Sequence, residues 1–257
     1  MKEIRPIQTD ESEEFLRLLC RVFQLDEKRA HSVFFSEPFF DLTRKWALFD
    51  SGRMVSILTT TPLQFGWGRA IGIAGVATDQ SARSQGLAQE LLEFVLDTAA
   101  TQSEGPALLF AHETELYRRV GFGVLDEVVR GKLEAEPNPP SSVPMDLAFV
   151  RDIYNGWAGQ NPNRIVRDEQ RWEYWNWVMR ICEPAGDGYI CQEPSLVREA
   201  VGLGRHPEWP VGPETDWLGL RSMAPVMGAP VRDLKPELLL MGRGFSDVPQ
   251  MFMTDQF

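Results

Sequence analysis

The chain has 257 residues with a hydrophobic content of 43%, enough to bury the core of one large domain or of two modest ones. Its net charge of −11 and the lack of any run of Lys or Arg argue against a nucleic-acid-binding protein. The same charge mildly favours a cationic partner such as an amine, although solvated surface charge explains it more simply.

We expect no membrane or metal partner. No apolar run approaches the roughly 20 residues that span a bilayer, and the N-terminal residues lack the apolar segment of a secretion signal. The three histidines are far apart in the sequence: His31, His112 and His206. The cysteines are also widely spaced: Cys20, Cys182 and Cys191. This pattern predicts neither a disulfide framework nor a zinc site, and a cytoplasmic location is expected.

Hydrophobic periodicity predicts alternating strands and helices over residues 1–134. Asp10, with Glu13 three residues further on, predicts the N-cap of the first helix. Gly121 is predicted to end a short helix after Val120. The predicted strands are residues 4–8, 46–49, 54–65, 71–78, 107–111 and 128–133. Four helices are predicted. Two begin near residue 10 and near residue 86, and the other two span residues 26–35 and 115–120.

A proline-rich segment over residues 137–144 predicts a linker. We therefore divide the chain into a first domain at 1–134, a linker at 135–144 and a smaller C-terminal α+β domain at 145–257. The predicted elements of the second domain are helices at 146–155 and 165–181, a hairpin over 188–203 and a strand at 217–223. The aromatic residues of the second helix are interspersed with both charges, which favours a core helix over a surface for single-stranded nucleic acid.

Residues 75–88 run from an apolar strand through a polar loop into a helix. The start of a helix presents unpaired N–H groups and the positive end of its dipole, which together bind phosphate. Gly86 has no Cβ to block a diphosphate, and Arg83 and Ser84 can bind one. The segment is either a phosphate-binding loop or an ordinary strand-to-helix turn.

This loop resembles the pyrophosphate-binding loop of the GCN5-related N-acetyltransferase (GNAT) family. The resemblance implies an α+β fold with a mixed, mostly antiparallel sheet, flanked by helices and splayed where acetyl-CoA binds. It also implies that the backbone of Val76, Ala77 and Thr78 contacts the pantetheine arm. The residues implied to hold the pyrophosphate are Arg83, Ser84, Gln85, Gly86, Leu87 and Ala88. No metal is implied.

A second part of the resemblance lies further along the chain. Residues 116–122, reading Leu-Tyr-Arg-Arg-Val-Gly-Phe, are similar to a helix that follows a later strand in the family. The resemblance implies that Tyr117 is the general acid that protonates the leaving thiolate. Tyr117 could instead be a packing residue. Many members carry Asn in the loop before this helix, but here the loop reads His112-Glu113-Thr114 and no residue takes the Asn role. His112 could be a general base, a substrate contact, or a capping or structural residue.

The whole chain distantly resembles the enhanced intracellular survival type of multidomain acetyltransferase. Those proteins have a second, degenerate GNAT-like lobe, so residues 145–257 could be such a lobe. They also use their terminal carboxylate as the general base. The last seven residues are apolar for a free tail, with four of the seven hydrophobic, and the resemblance assigns that role to Phe257. The alternative is a tail packed for stability alone.

The predicted reaction is direct transfer of acetyl from acetyl-CoA to a primary amine of a small molecule or peptide. The alternatives are a catalytically silent acyl-CoA-binding or regulatory module and an acyltransferase with another donor or acceptor. A cluster of phenylalanines falls where the family has its acceptor pocket, either as a wall of that pocket or as core: Phe34, Phe35, Phe39 and Phe40. The oligomeric state is left open.

Overall fold

The computed structural model describes residues 1–134, 145–178, 182–193, 195–202, 209–212 and 214–257. Within these ranges, no helix is long and apolar enough to cross a membrane.

Eleven strands in the described ranges form one sheet, in the order β1-β2-β3-β4-β5-β11-β6-β10-β9-β8-β7. The strands are β1 (Lys2–Pro6), β2 (Lys45–Asp50), β3 (Arg53–Phe65), β4 (Gly68–Thr78), β5 (Ala107–Ala111), β6 (Gly123–Leu133), β7 (Cys182–Ala185), β8 (Gly188–Glu193), β9 (Leu196–Val201), β10 (Asp216–Leu220) and β11 (Val231–Arg243). Neighbouring strands are antiparallel except for β4 with β5 and β9 with β10. The predicted mixed, mostly antiparallel sheet is confirmed.

Seven α-helices in the described ranges accompany the sheet. They are α1 (Ser12–Phe23), α2 (Glu27–Phe34), α3 (Leu87–Thr101), α4 (Glu115–Arg119), α5 (Leu147–Ala158), α6 (Glu169–Val178) and α7 (Met223–Val226). Leu91 and Val95 of α3 share a buried cluster with Ile73 of β4. Phe15 of α1 shares a cluster with Ala77, which points to the opposite face. The end of β4 therefore lies between α1 and α3.

The sheet opens at β4. Its pairing with β5 runs only from Ile71 to Ile73, opposite Ala107 to Leu109. Gly75 then adopts φ +61°, and the register with β3 shifts at this point, which makes a β-bulge. From Ala74 to Thr78, β4 has no partner on its β5 side among the described residues, so its backbone polar groups there face a cleft.

The two halves of the chain share the sheet. Strand β11 belongs to the second half but lies between β5 and β6 of the first half, hydrogen-bonded to both. The predicted linker at 135–144 lies outside the described residues. The division into units at 1–134 and 145–257 stays a proposal about organisation, since the strands on both sides of the linker form one sheet.

Three local predictions were wrong. Asp10 lies inside a 3₁₀ turn, Thr9–Glu11, because Glu11 accepts the Gln8 N–H at 2.7 Å and closes the capping box one step earlier. The helix predicted from residue 165 begins at Glu169, because the two residues before Arg167 pair with β3 and with the C-terminal segment; residues 179–181 lie outside the described ranges. The strand predicted to reach residue 223 ends at Leu220, and α7 begins at Met223.

The expectation about the cysteines was also incomplete. Cys182 in β7 lies directly opposite Cys191 in β8, and the two form a disulfide. The hairpin register brings them together, which the spacing of the cysteines alone did not reveal. Cys20 is a free, buried thiol in α1.

Candidate active site

The loop between β4 and α3 leaves the start of α3 open. Asp79 caps the preceding turn by accepting the Ser81 N–H at 3.0 Å and the Ser81 hydroxyl at 2.6 Å. No described side chain caps α3 itself. Ser84 and Gly86 both adopt positive φ, +62° and +76°, and no atom lies within 4 Å of the place where a Cβ of Gly86 would stand. The first N–H groups of α3 therefore face open space, as an anion site requires.

The residues predicted to contact the cofactor fall into two groups, and the first group lies on the loop and at the start of α3. Four of its members are exposed: Arg83, Ser84, Gln85 and Gly86. Leu87 is buried in the core and Ala88 is half-buried, so these two can contribute only backbone atoms or a small surface. Arg83 ties the loop to β4 by donating from Nε to the Thr78 carbonyl at 3.3 Å.

The second group lines the open edge of β4. Val76 is half-buried against the α3 cluster, and Ala77 is buried on the other face. Ser56 of β3 donates to the Ala77 carbonyl at 3.2 Å and lies 2.9 Å from the Thr78 hydroxyl. The strand is thus held firmly on its β3 side and left unpaired on the side of the cleft.

Tyr117 projects from α4 and is half-buried. Its ring lies 6.3 Å from that of Phe122, edge to face, and packs against the same cluster as Val76. Burial raises the pKa of Tyr117 above its ordinary value. The phenol is therefore protonated at neutral pH and can donate a proton.

His112 shows less sign of a catalytic position. It lies between β5 and α4, is exposed to solvent, and makes no side-chain hydrogen bond to the residues that the structure describes. None of its predicted roles gains a structural observation among the described residues.

Phe257 lies against the centre of the sheet. Its ring covers Gly72 of β4, where a Cβ would overlap the ring, and lies 5.4 Å from the ring of Phe110 of β5. The Tyr174 hydroxyl of α6 donates to the Gln256 carbonyl at 3.1 Å. Residues 256–257 thus lie beside the point where β4 leaves β5. The catalytic role of Phe257 stays a prediction.

A buried ionic network holds this segment in place. Arg167 donates to Asp255 at 2.8 and 2.9 Å and to Glu199 of β9 at 2.7 and 3.0 Å, and all three side chains are fully buried. Trp175 also donates to Glu199, at 2.8 Å. Every charge in the network therefore has a partner, as stable burial demands.

A cavity of about 170 Å³ lies on the α1 and α2 side of the sheet, beside the bulge of β4. Its walls come from α1, α2, β2, β3, β4, α6 and the C-terminal segment. Of the predicted phenylalanines, Phe34 and Phe39 line it, while Phe40 packs against Phe34 outside it. Phe35 is 37% exposed.

Sequence reasoning weighed Glu37 as a residue that could attract an ammonium group, with solvated charge as the favoured alternative, but it assigned no role here to Lys45 or Arg171. Lys45 is buried, with its ammonium 3.1 Å from Glu37 and 4.7 Å from the centre of the Phe34 ring. Arg171 of α6 is also buried, and burial lowers its pKa from the ordinary value. For Lys45, its position at the start of a buried strand could have indicated a buried charge. For Arg171, the acidic residues around it in the sequence gave the helix a mixed charge, so nothing singled this arginine out.

A model of the acetyltransferase (GNAT) domain matches residues 3–125. This part of the chain belongs to the GNAT family. The match spans β1 to the start of β6 and includes the open loop, the bulge of β4 and Tyr117. No group of three or more His, Cys, Asp or Glu side chains in the described ranges is arranged to hold a metal ion.

Similarity to curated proteins covers more of the chain than residues 3–125. Two proteins of Streptomyces griseus, described as uncharacterized N-acetyltransferases, are 26% identical over 223 residues, which covers 73% of this chain and 53% of theirs. The chain therefore spans about half the length of these relatives.

Solved structures of GNAT proteins share the fold of nearly the whole chain. A GCN5-related N-acetyltransferase from Anabaena variabilis aligns with a TM-score of 0.70 at 15% identity, covering 95% of this chain and 72% of the other. Eis1 from Mycobacterium abscessus aligns with a TM-score of 0.63 at 16% identity, covering 93% and 73%. At these identities the similarity establishes the fold alone, but it extends through both halves of the chain.

Proposed function

We propose that the protein transfers an acetyl group from acetyl-CoA directly to a primary amine. The observation that carries the proposal is the open edge of β4 next to the uncapped start of α3. The loop at Gly86 offers N–H groups to a diphosphate, and the backbone from Ala74 to Thr78 offers hydrogen bonds to an extended amide-bearing arm. Both features lie within a domain of the GNAT family.

In this mechanism the protein acts mainly by positioning. Holding the thioester and the amine together supplies much of the rate through orientation. Backbone N–H groups near Val76 polarise the thioester carbonyl. The amine attacks the carbonyl carbon, the C–S bond breaks, and Tyr117 gives its proton to the departing thiolate. The terminal carboxylate of Phe257 and His112, acting through water, are the proposed candidates for the base that takes the proton of the ammonium.

Replacing Tyr117 by Phe tests the acid. We expect kcat for thiol release, with a panel of primary amines, to fall by roughly 10²- to 10⁴-fold while the Kd for acetyl-CoA stays unchanged. Because burial raises the pKa of Tyr117, the parent should lose no activity through this group below about pH 10. Undiminished turnover in Tyr117→Phe at saturating acetyl-CoA would contradict the assignment. Stoichiometric binding of acetyl-CoA without thiol release for any amine would instead favour a silent acyl-CoA-binding module.

A further inference from the structure

The cavity beside the β4 bulge is lined by charged groups. Its charged lining side chains are Glu37, Lys45 and Arg171, and Phe257, whose terminal carboxylate is a candidate base, lines it as well. Glu37 and Lys45 pair with each other at 3.1 Å, which leaves Arg171 as the lining side chain whose charge is not paired with another side chain of the lining.

Arg171 has no ionic partner of its own. Its side chain is only 3% exposed, yet no carboxylate side chain of the described residues lies within salt-bridge distance of it. It donates from Nη2 to the Pro62 carbonyl at 2.7 Å and, more weakly, from Nη1 to the Asp255 carbonyl at 3.5 Å. The Asp255 carboxylate is already bound by Arg167. Asp255 offsets part of the cost of burying this charge from beyond salt-bridge distance, and an anion bound directly to the guanidinium would stabilise it further.

The guanidinium is also held rigid. It lies 4.4 Å from the centre of the Phe39 ring, and its Nη2 is tied to β3 through the Pro62 carbonyl. Its Nε–H donates to no residue that the structure describes. A planar, oriented guanidinium with a free N–H donor is suited to a carboxylate or another oxyanion.

We propose that the acceptor amine carries a carboxylate or a similar anionic group and that Arg171 binds this group. The proposal rests on the acetyl transfer proposed above and specifies its substrate class. The cavity reaches Ala74 and Gly75, where β4 leaves β5, so an acceptor anchored by Arg171 directs its other end towards the acyl group. Its volume of about 170 Å³ lies below the roughly 300–1,000 Å³ of sites for drug-sized ligands, which selects an acceptor of about amino-acid size.

This inference differs from the one that the net charge favours. A net charge of −11 attracts cations over long distances, but it says little about a buried site whose lining includes an arginine without a salt bridge to a described side chain. An amine with a carboxylate meets both conditions, because its ammonium is attracted to the acidic surface and its carboxylate to Arg171.

The test uses matched pairs of amines that differ only in the anionic group: amino acids and the corresponding carboxamides, with acetyl-CoA saturating and thiol release as the readout. We expect kcat/KM to favour the acid by about tenfold or more in at least one pair. Arg171→Gln should remove most of that preference through a higher KM, and Arg171→Lys should keep part of it, since a lysine retains the charge but not the planar edge. All variants should keep the parent's Kd for acetyl-CoA.

Arg151→Gln is the matched control, because Arg151 lies on α5, pairs with the exposed Glu169 at the start of α6, and does not line the cavity. If Arg171→Gln does not fold, Arg171→Lys tests the proposal by itself, through the change in the ratio of kcat/KM for the acid to kcat/KM for the carboxamide. Equal kcat/KM for acids and carboxamides in the parent would overturn the proposal. So would an unchanged ratio in the Arg171 variants, or no turnover of any acid while acetyl-CoA still binds. Absence of acetyl-CoA binding by the parent would instead overturn the proposed function itself.

Discussion

At the scale of single residues, two glycines shape the candidate site in different ways. At Gly86, no atom lies within 4 Å of the position that a Cβ would take, so the space beside it is open. At Gly72, the Phe257 ring occupies the position that a Cβ would take. The sequence marked Gly86 through its motif, but Gly72 only as an interruption of a strand, since its partner lies 185 residues further along the chain.

Replacing Gly72 by Ala should displace the Phe257 ring from the sheet. We expect the free energy of unfolding to fall by about 1–3 kcal/mol, the usual cost of an added methyl group in a packed site. Gly123→Ala in β6, where no atom lies within 4 Å of the new Cβ, should change it by less than about 0.5 kcal/mol. Denaturant unfolding of both variants measures this difference. Equal effects would show that the ring does not pack on Gly72 in solution.

At the scale of elements, the sequence predicted what is local and missed what is distant. The strand, loop and helix over residues 75–88 and the helix that carries Tyr117 are encoded by neighbouring residues, so their patterns are readable. The convergence of Arg171 and Phe257 beside β4 joins three remote parts of the chain. No local periodicity records it, and the mixed charges of α6 indicated only a core helix.

The network around Arg167 fastens α6, β9 and the C-terminal segment together. Arg167→Met should lower the free energy of unfolding by about 3–5 kcal/mol, because Glu199 and Asp255 would remain buried without their cation. Arg151→Met, which removes a partner of the exposed Glu169, should cost no more than about 1 kcal/mol. Chemical denaturation of the two variants provides the comparison. A similar, small cost for both would mean that the network contributes little to stability.

At the scale of the whole molecule, the position of β11 joins the two halves. Strands β5 and β6 do not pair with each other but each pairs with β11, which the second half supplies. The candidate site is likewise composite, with the cofactor loop from the first half and Arg171 and Phe257 from the second. The proline-rich segment predicted a division of the chain, which stays a proposal, and composition could not show that a later strand returns to the first half.

Because all four tyrosines are at least partly buried, the stability of the fold should depend on pH in the alkaline range. Burial raises the pKa of Tyr117, Tyr154, Tyr174 and Tyr189, well above the ordinary value for Tyr154 and Tyr189. The unfolded chain releases these protons from about pH 10, whereas the folded protein retains them to higher pH. The stability they contribute is therefore complete below about pH 10 and is lost as the pH rises further.

An alkaline titration followed by phenolate absorbance and circular dichroism checks this linkage. We expect little phenolate signal below about pH 10, then ionisation together with loss of the folded signal. Gradual ionisation centred near pH 10 in a protein that remains folded would contradict the burial of these side chains.

The central claim is that acetyl-CoA binds where β4 opens and α3 begins. Calorimetric titration of acetyl-CoA into the parent, Gly86→Asn and Gly86→Asp tests it most directly. Gly86 has φ +76°, which Asn and Asp both tolerate better than most residues, so the two variants share the strain and differ in charge. We predict binding by the parent, moderately weaker binding by Gly86→Asn, and at least about tenfold weaker binding still by Gly86→Asp, whose carboxylate would face the diphosphate. No binding by the parent, or equal affinities for the Asn and Asp variants, would contradict a diphosphate site at Gly86.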